Sequence, residues 1–287
     1  MAIIQDLQSE NIDTAVKAVV KIEEKWKALC SVDSSSSYTE SYYRETNNDS
    51  TDGGTHSVIK GVPEYAPFPF FDVTETQHSS IVQKYAGEGI ISMEASQYAT
   101  VPMLQRKIYR LARKIIYQID YAIEDAVSTV TTGYGNTVAI TIGEEWDSAT
   151  IANRDPVKDI LDAIQTLRVD GIDALSGNGY LVVNGNDYTN IISNSKVLNH
   201  PTYESGVMKN GQVGKLLGLN IVVSEVVETD SAYVLVARQG MVWKSAQGLT
   251  TKTIEDPGKS TTIRAWERGV FQSQAPNEIC KLTNTRK

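Results

Sequence analysis

Two short stretches carry the residue types that phosphate chemistry uses. The first, "GQVGKLLGLNIVVSE" (211–225), sets a lysine directly after a glycine-spaced run. A phosphate-cradling loop needs G-x-x-x-x-G-K-[ST], in which backbone amides wrap the phosphates and the hydroxyl holds magnesium. Counting back from Gly214, the first-glycine position holds Lys209, and Leu216 follows Lys215 where Ser or Thr is required. The motif must also open a helix whose N-terminus meets the phosphate, whereas "LNIVVSE" reads as a strand. The stretch is therefore read as a glycine turn entering a buried strand. In the second, "SGNGYLVVNGN", glycines flank a strand without the G-x-G-x-x-G that joins strand to helix, so Asn and Gly act as turn residues.

Other catalytic arrangements fare no better. No G-x-S-x-G elbow supplies a nucleophile, and His200 sits in the polar loop "NHPTYES". His56, His78 and His200 are scattered and Cys30 and Cys280 lie at opposite ends, which gives neither zinc-ligand spacing nor a disulfide framework. The carboxylate pairs Glu144/Glu145 and Glu124/Asp125 are adjacent in sequence, so on a helix their side chains diverge. No catalytic, cofactor-binding or metal-binding residue is assigned, no cofactor is expected, and the chain reads as a protein other than an enzyme.

Composition narrows the classes further. The 287 residues are 41% hydrophobic, enough for a real core in one elaborated domain or two smaller ones. With 35 acidic against 27 basic side chains the net charge is -8, and tight nucleic-acid binding lacks its electropositive footprint. The opening "MAIIQDLQSENIDTAVKAVV" carries Asp6, Glu10 and Asp13 where a signal peptide needs a basic start and an apolar run, and no stretch of 18 apolar residues occurs. Export by that route and membrane spanning are not expected. A reduced, cytosolic site of synthesis is.

The elements around these residues follow from periodicity. Ile12, Ala15, Val16, Val19, Val20, Trp26 and Leu29 have the spacing of an amphipathic helix or two. The run "SVDSSSSYTESYYRETNNDSTDGGTH" is poor in aliphatic residues and cannot offset its own ordering entropy by burial. Yet it holds Tyr38, Tyr42 and Tyr43. It is either a flexible linker or an arm that becomes ordered against another surface. "GVPEYAPFPFFDV" packs Tyr65, Phe68, Phe70 and Phe71 between three prolines, too many rings for a solvated loop. With strand-like "SSIVQKYA" and "GIISM" after it, residues 54–92 read as an extended hairpin or loop that something must cover.

The strongest local signal is "VPMLQRKIYRLARKIIYQIDYAIEDAVSTVTTG". Pro102 suits a helix start, Gly133 suits its end, and two apolar stripes through Leu104, Ile108, Leu111, Ile115, Ile119 and through Ala112, Ile116, Ile123, Val127 predict a long helix packed on two sides. Arg106, Lys107, Arg110, Arg113 and Lys114 crowd its N-terminal half, against the helix dipole, which disfavours each terminal charge by about 0.3 to 1 kcal/mol. These cations form either a solvated face or, more pointedly, the partners of carboxylates on another element or subunit. Downstream, Asp155 and Pro156 open a helix ending near Gly171. "YLVVN", "LNIVVSE" and "SAYVLVARQ" are strands, "NDYTNIISN" is a short helix, and the last forty residues form two or three strands with bends at Gly258 and Pro276.

In order and spacing these elements resemble the major capsid proteins of tailed bacteriophages, an α+β fold shared with encapsulins and the herpesvirus capsid floor. "VQKYAGEGIISMEASQYATVPMLQRKIYRLARKIIYQIDYAIEDAV" resembles the passage where their extended loop turns into the spine helix. "DPVKDILDAIQTLRVDG" with "GYLVVNGNDYTNI" resembles the next helix and strand, "GQVGKLLGLNIVVSE" the glycine turn into a buried strand, and "IRAWERGVFQSQAPNEICKL" the last strands. The similarity covers about residues 54–287. It implies an N-terminal arm (1–53), an extended loop (54–92), a peripheral domain (93–149 with 247–287) carrying a spine helix over 102–130, and an axial α/β domain (150–246).

The resemblance also implies a role. Hexamers and pentamers of such subunits tile an icosahedral shell around double-stranded DNA, with arm and loop lying over neighbours. Tyr42, Tyr43, Lys60, Tyr65, Phe68, Phe70, Phe71, Arg106, Arg110 and Arg113 would then be inter-subunit contacts. Partners would be the chain itself, a separate scaffold protein, a portal, decoration proteins and packaged DNA held by weak non-specific contact; the location would be the virion, with assembly in the host cytoplasm. Some relatives cross-link a loop lysine to a distant asparagine; Lys60 lies in the corresponding region, but no partner is identified and that chemistry is not expected. The rival readings are an encapsulin-like compartment shell, against which the long polar arm counts, and a soluble α/β enzyme, for which no convergent polar site is found.

Overall fold

A computed structural model of the chain describes residues 24–45, 63–67, 75–98, 103–198 and 214–287. It is α+β, and its residues fall into two compact units: Met1–Glu40, Ser79–Glu124 and Trp243–Gln272 in the first, Ser41–His78, Asp125–Val242 and Ser273–Lys287 in the second. Among the described residues no helix is long and apolar enough to cross a membrane.

The first unit is organised by a four-stranded sheet in the order β1 (Ser31–Ser34), β10 (Met241–Asp256), β11 (Ser260–Ser273), β4 (Gln83–Ser92). β11 and β4 run antiparallel, with Arg264 opposite Glu88 and Gly269 opposite Gln83. The long helix predicted from the apolar stripes is present as α3 (Met103–Tyr134), after the short α1 (Trp26–Leu29) and α2 (Met93–Tyr98). Ile108, Ala112 and Ile116 of α3 pack with Ile91 of β4 and Ile263 of β11 in one cluster. Helix and strand approach closely there: a Cβ on Gly87 would meet Leu111 at 2.6 Å. Ile115, Ile119, Ile123 and Val127 are buried too, so the helix is sunk on more than one side as the double stripe requires.

Of the polar run after Leu29, which reads either as a flexible linker or as an arm ordered against another surface, residues 31–45 are described. They contain two strands, β1 and β2 (Thr39–Glu45), the second paired with β3 (Glu75–Ile81) in a sheet of two. Their partners are distant segments, and backbone hydrogen bonds to them supply the order that the side chains cannot. The strand pieces read at 79–86 and 89–93 are not two arms turning at Gly87 and Gly89: β4 (Gln83–Ser92) runs through both glycines as one strand paired with β11, while β3 pairs with β2. Of the helical segment expected over 11–29, only residues from Glu24 onward are described, and Trp26–Leu29 is helical.

The second unit is built on a six-stranded mixed sheet, β5 (Asn136–Ala139), β12 (Ile279–Thr283), β9 (Ser231–Val236), β6 (Gly179–Val183), β8 (Leu219–Val223), β7 (Lys215–Leu216). β12 is parallel to β5 and β6 to β8, while β9 is antiparallel to both its neighbours. Every residue of β9 is buried, which is why "SAYVLV" reads as a continuous apolar run rather than an alternating one. Helix α4 (Pro156–Val169) packs Ile160, Ile164 and Leu167 into the core formed with Leu181, Val234 and Leu282. Each such side chain contributes about 1.5 to 3 kcal/mol by leaving water. Asp155 caps α4, accepting the Lys158 N–H at 3.2 Å, and Gly171 after it has φ +78°, as the sequence predicts. Two further short helices, α5 (Gly185–Ser193) and α6 (Ser195–Leu198), follow β6.

Candidate subunit interface

The glycine-rich stretch at 211–225 is settled by its backbone from Gly214 onward. β7 and β8 form an antiparallel hairpin with Leu216 paired to Leu219 across Leu217–Gly218, both of which have positive φ (52° and 88°). That is the backbone of a two-residue type I′ turn, whose twist matches the flanking strands. The segment leads into the strand β8, of which Leu219 is buried and the other four residues are half-buried, and among the described residues it offers no helix N-terminus to a phosphate.

β2 sorts its aromatic residues by the two-residue period of a strand. Tyr42 is half-buried and Arg44 buried, while Tyr43 between them is 59% exposed. Arg44 is the anchor: its Nε donates to the Ser273 carbonyl at 3.1 Å and a terminal nitrogen donates to the Tyr42 hydroxyl at 2.8 Å. Its guanidinium also stands over the rings of Tyr42 (5.7 Å) and Tyr134 (5.5 Å). Tyr42 stacks on His78 at 5.8 Å, and partial burial together with the Arg44 charge holds the His78 pKa below its ordinary value. An interlocked cation and three rings thus fix the strand in a geometry that leaves Tyr43 facing outward.

Tyr65 is fully exposed in a turn and has φ +63°. A left-handed backbone is unfavourable for a residue with a bulky side chain. Tyr38 is likewise largely exposed. Lys60, Phe68, Phe70 and Phe71 lie outside the described residues. Arg106, Arg110 and Arg113 are all exposed on α3, and Arg113 sits over the ring of Tyr109 at 5.2 Å. The structure thus puts Tyr43, Tyr65 and the three arginines at the surface and gives Tyr42 an internal task. Sequence reasoning missed Tyr109, Tyr117 and Tyr121, which are exposed on α3 among the arginines. Tyr109 and Tyr117 each stand four residues from Arg113 and Tyr121 four from Tyr117, and that spacing was the available signal.

Chemistry inside the molecule is muted. Cys30 and Cys280 are free and buried, and burial pushes both thiols up, Cys280 to about 12. Asp187 is fully buried beside the C-terminal residues: its Oδ2 accepts from the Thr285 hydroxyl at 2.9 Å, and Arg286 Nε lies 4.0 Å from Oδ1. Burial raises its pKa to about 6. This group ties α5 to the segment around Thr285 and Arg286. Among the described residues no group of three or more His, Cys, Asp and Glu side chains is placed to hold a metal ion.

Residues 76–281, more than two thirds of the chain, match the family model described as phage capsid protein. The fold is similar to the capsid of the cyanophage P-SCSP1u (TM-score 0.67, 12% identity, covering 89% of this chain and 86% of that one). It is similar to a structure from Mycobacterium phage Che8 (TM-score 0.65, 15% identity, 92% and 93% covered). A virus-like particle from Pyrococcus furiosus also shares it (TM-score 0.63, 12% identity, 96% and 99% covered). No curated protein matches the chain in sequence. The chain belongs to the phage capsid protein family, and its role is that of a capsid shell protein.

Proposed function

We propose that this chain assembles as hexamers and pentamers into the icosahedral head shell of a tailed virus, enclosing its double-stranded DNA. The observation that carries the reading beyond the family match is the outward set of aromatic rings, Tyr38, Tyr43 and Tyr65, with Tyr43 presented by a strand that is paired in a sheet. Exposed rings are apolar surface that a neighbouring subunit buries. On this reading Tyr42, Tyr43, Lys60, Tyr65, Phe68, Phe70 and Phe71 belong to inter-subunit contacts, Tyr42 by holding the strand that presents Tyr43. Residues 1–53 are the arm, 54–92 the extended loop, 93–149 with 247–287 the peripheral domain and 150–246 the axial domain.

The chain acts without catalysis. A separate scaffold protein and a portal join it in the host cytoplasm, and the product is the virion capsid. The net charge of -8 suits a coat that confines DNA without gripping it. The compartment-shell alternative shares the fold, and the match of residues 76–281 to the model described as phage capsid protein favours the viral reading.

The test is expression of the chain with and without candidate scaffold genes, beside the double variant Phe70→Ala/Phe71→Ala. Wild type gives closed shells or rings of five and six, and the double variant gives soluble subunits that do not close. Normal particles from the double variant would remove these rings from the contacts. A wild-type chain that stays monomeric under every condition would overturn the capsid reading itself.

A further inference from the structure

The solvent face of α3 carries one sign of charge over its first unit. Between Met103 and Glu124 the acidic residues are Asp120 and Glu124, and both are buried, at 3% and 2% exposure. The cations Arg106, Arg110, Arg113 and Lys114 are exposed, while Lys107 spends its ammonium on the Ile90 carbonyl. Tyr109, Tyr117 and Tyr121 are interleaved with them, each exposed by more than 40%. The cation set continues onto the neighbouring strand: Lys84 of β4 and Lys114 line one cleft of about 450 Å³ together with Tyr85 and Gln118. Glu88, also on that cleft, is paired with Arg264 at 3.0 Å.

We infer that this arginine, lysine and tyrosine face of α3 is where the subunit touches packaged duplex DNA through its phosphates. The inference rests on the capsid reading above and locates the DNA contact within it. Charge complementarity selects the occupant. From Arg106 to Tyr121 the stripe is about 22 Å long at 1.5 Å per residue, a length over which duplex DNA presents roughly a dozen phosphate charges. Arginine, lysine and tyrosine side chains are phosphate donors that position a duplex without reading its sequence. Arg106 lies in the first turn of the helix, where its dipole disfavours a cation and an external anion relieves it. The carboxylates of a second subunit are the competing occupant, and interleaved hydroxyl donors together with about two turns of positive charge favour a phosphate polymer over scattered carboxylates.

The experiment measures binding of unassembled subunits to a fluorescein-labelled 30-base-pair duplex across a salt series. Four phosphate contacts predict a slope of log K on log salt of roughly -3.6, and Arg106→Gln/Arg110→Gln/Arg113→Gln lowers its magnitude by about 3. Circular dichroism and a urea midpoint establish that the variant folds. The milder Arg110→Gln/Lys114→Gln, expected to lower the slope by about 2, replaces it if it does not. A slope near zero, or one that the variants leave unchanged, overturns the inference. So does a triple variant that leaves DNA binding intact while abolishing ring formation, which would give this face to a second subunit. Shell formation is read separately by electron microscopy, so shells without a salt-dependent slope would remove this inference and leave the capsid reading standing.

Discussion

The Asp120 carboxylate of α3 caps a helix far away in sequence, accepting the backbone N–H of Lys25 at Oδ2 (3.0 Å) and of Lys27 at Oδ1 (3.1 Å). The N-cap residue of α1, Lys25, makes no side-chain cap of its own. One buried carboxylate on the long helix therefore fixes the point at which the N-terminal segment enters the core, where Trp26 is fully buried.

Replacing Asp120 by Ala leaves two N–H groups without their acceptor and is expected to cost about 1 to 3 kcal/mol of stability. Asp120→Asn, which retains one carbonyl oxygen, costs less. Urea unfolding followed by tryptophan fluorescence checks the order, and equal stability of the Ala variant and wild type would contradict it.

Lys27 also enters a buried ion pair. Its Nζ lies 2.7 Å from Glu267, whose side chain is 1% exposed, and 2.9 Å from Glu24. Burial works to lower the Lys27 pKa, but the two carboxylates outweigh it and the net direction is up. Lys27→Met alone strands the buried Glu267 carboxylate and is expected to cost about 3 to 5 kcal/mol, whereas Glu267→Leu leaves Lys27 its Glu24 partner and costs less. The double variant Lys27→Met/Glu267→Leu should cost less than the two singles combined. Strict additivity in a double-mutant cycle would show that the pair does not act as one unit.

Burial raises the Asp120 carboxyl from its ordinary 3.8 to about 6, against the pull of its backbone donors, and raises Asp187 to about 6 as well. Between roughly pH 4 and 6 the folded chain keeps protons on these groups that the unfolded chain has released, so stability falls as pH rises through that window. Below it both states are protonated and above it neither is, and the contribution to the slope ends. Asp187→Asn removes its share of the decline. Urea midpoints at pH 4, 5, 6 and 7 should show a shallower fall for the variant, and identical profiles would contradict the assignment.

Cys30 and Cys280 should be silent to a thiol reagent at pH 8 in the folded chain and should both react in denaturant, because burial keeps each as the neutral thiol. Rapid modification of either in the native protein would show that its surroundings open.

Local signals were legible in the sequence where short-range physics governs. The stripes of α3, the Asp155 cap, the positive-φ glycine after α4 and the turn before β8 depend on neighbours within a few residues, and each was readable. Pairing partners were not. "TESYYRE" becomes a strand because β3 lies beside it, and β4 joins β11 across a long chain separation. Composition records neither. The surface readings divide in the same way: Tyr43 faces outward as its strand alternation requires, whereas the anchoring of Tyr42 by Arg44 and His78 needs a contact that only the fold creates. The Arg and Tyr face of α3 was half legible, because the cations were visible in sequence while the burial of Asp120 and Glu124, which keeps those two carboxylates off that face, was not.

Cryo-electron microscopy of particles produced by the chain with its scaffold tests the central claim most directly. The account predicts closed shells whose five-fold and six-fold capsomers accommodate this subunit, with α3 inside each and neighbouring density over Tyr43 and Tyr65. A chain that yields only stable monomers, with those rings still in solvent, would contradict it.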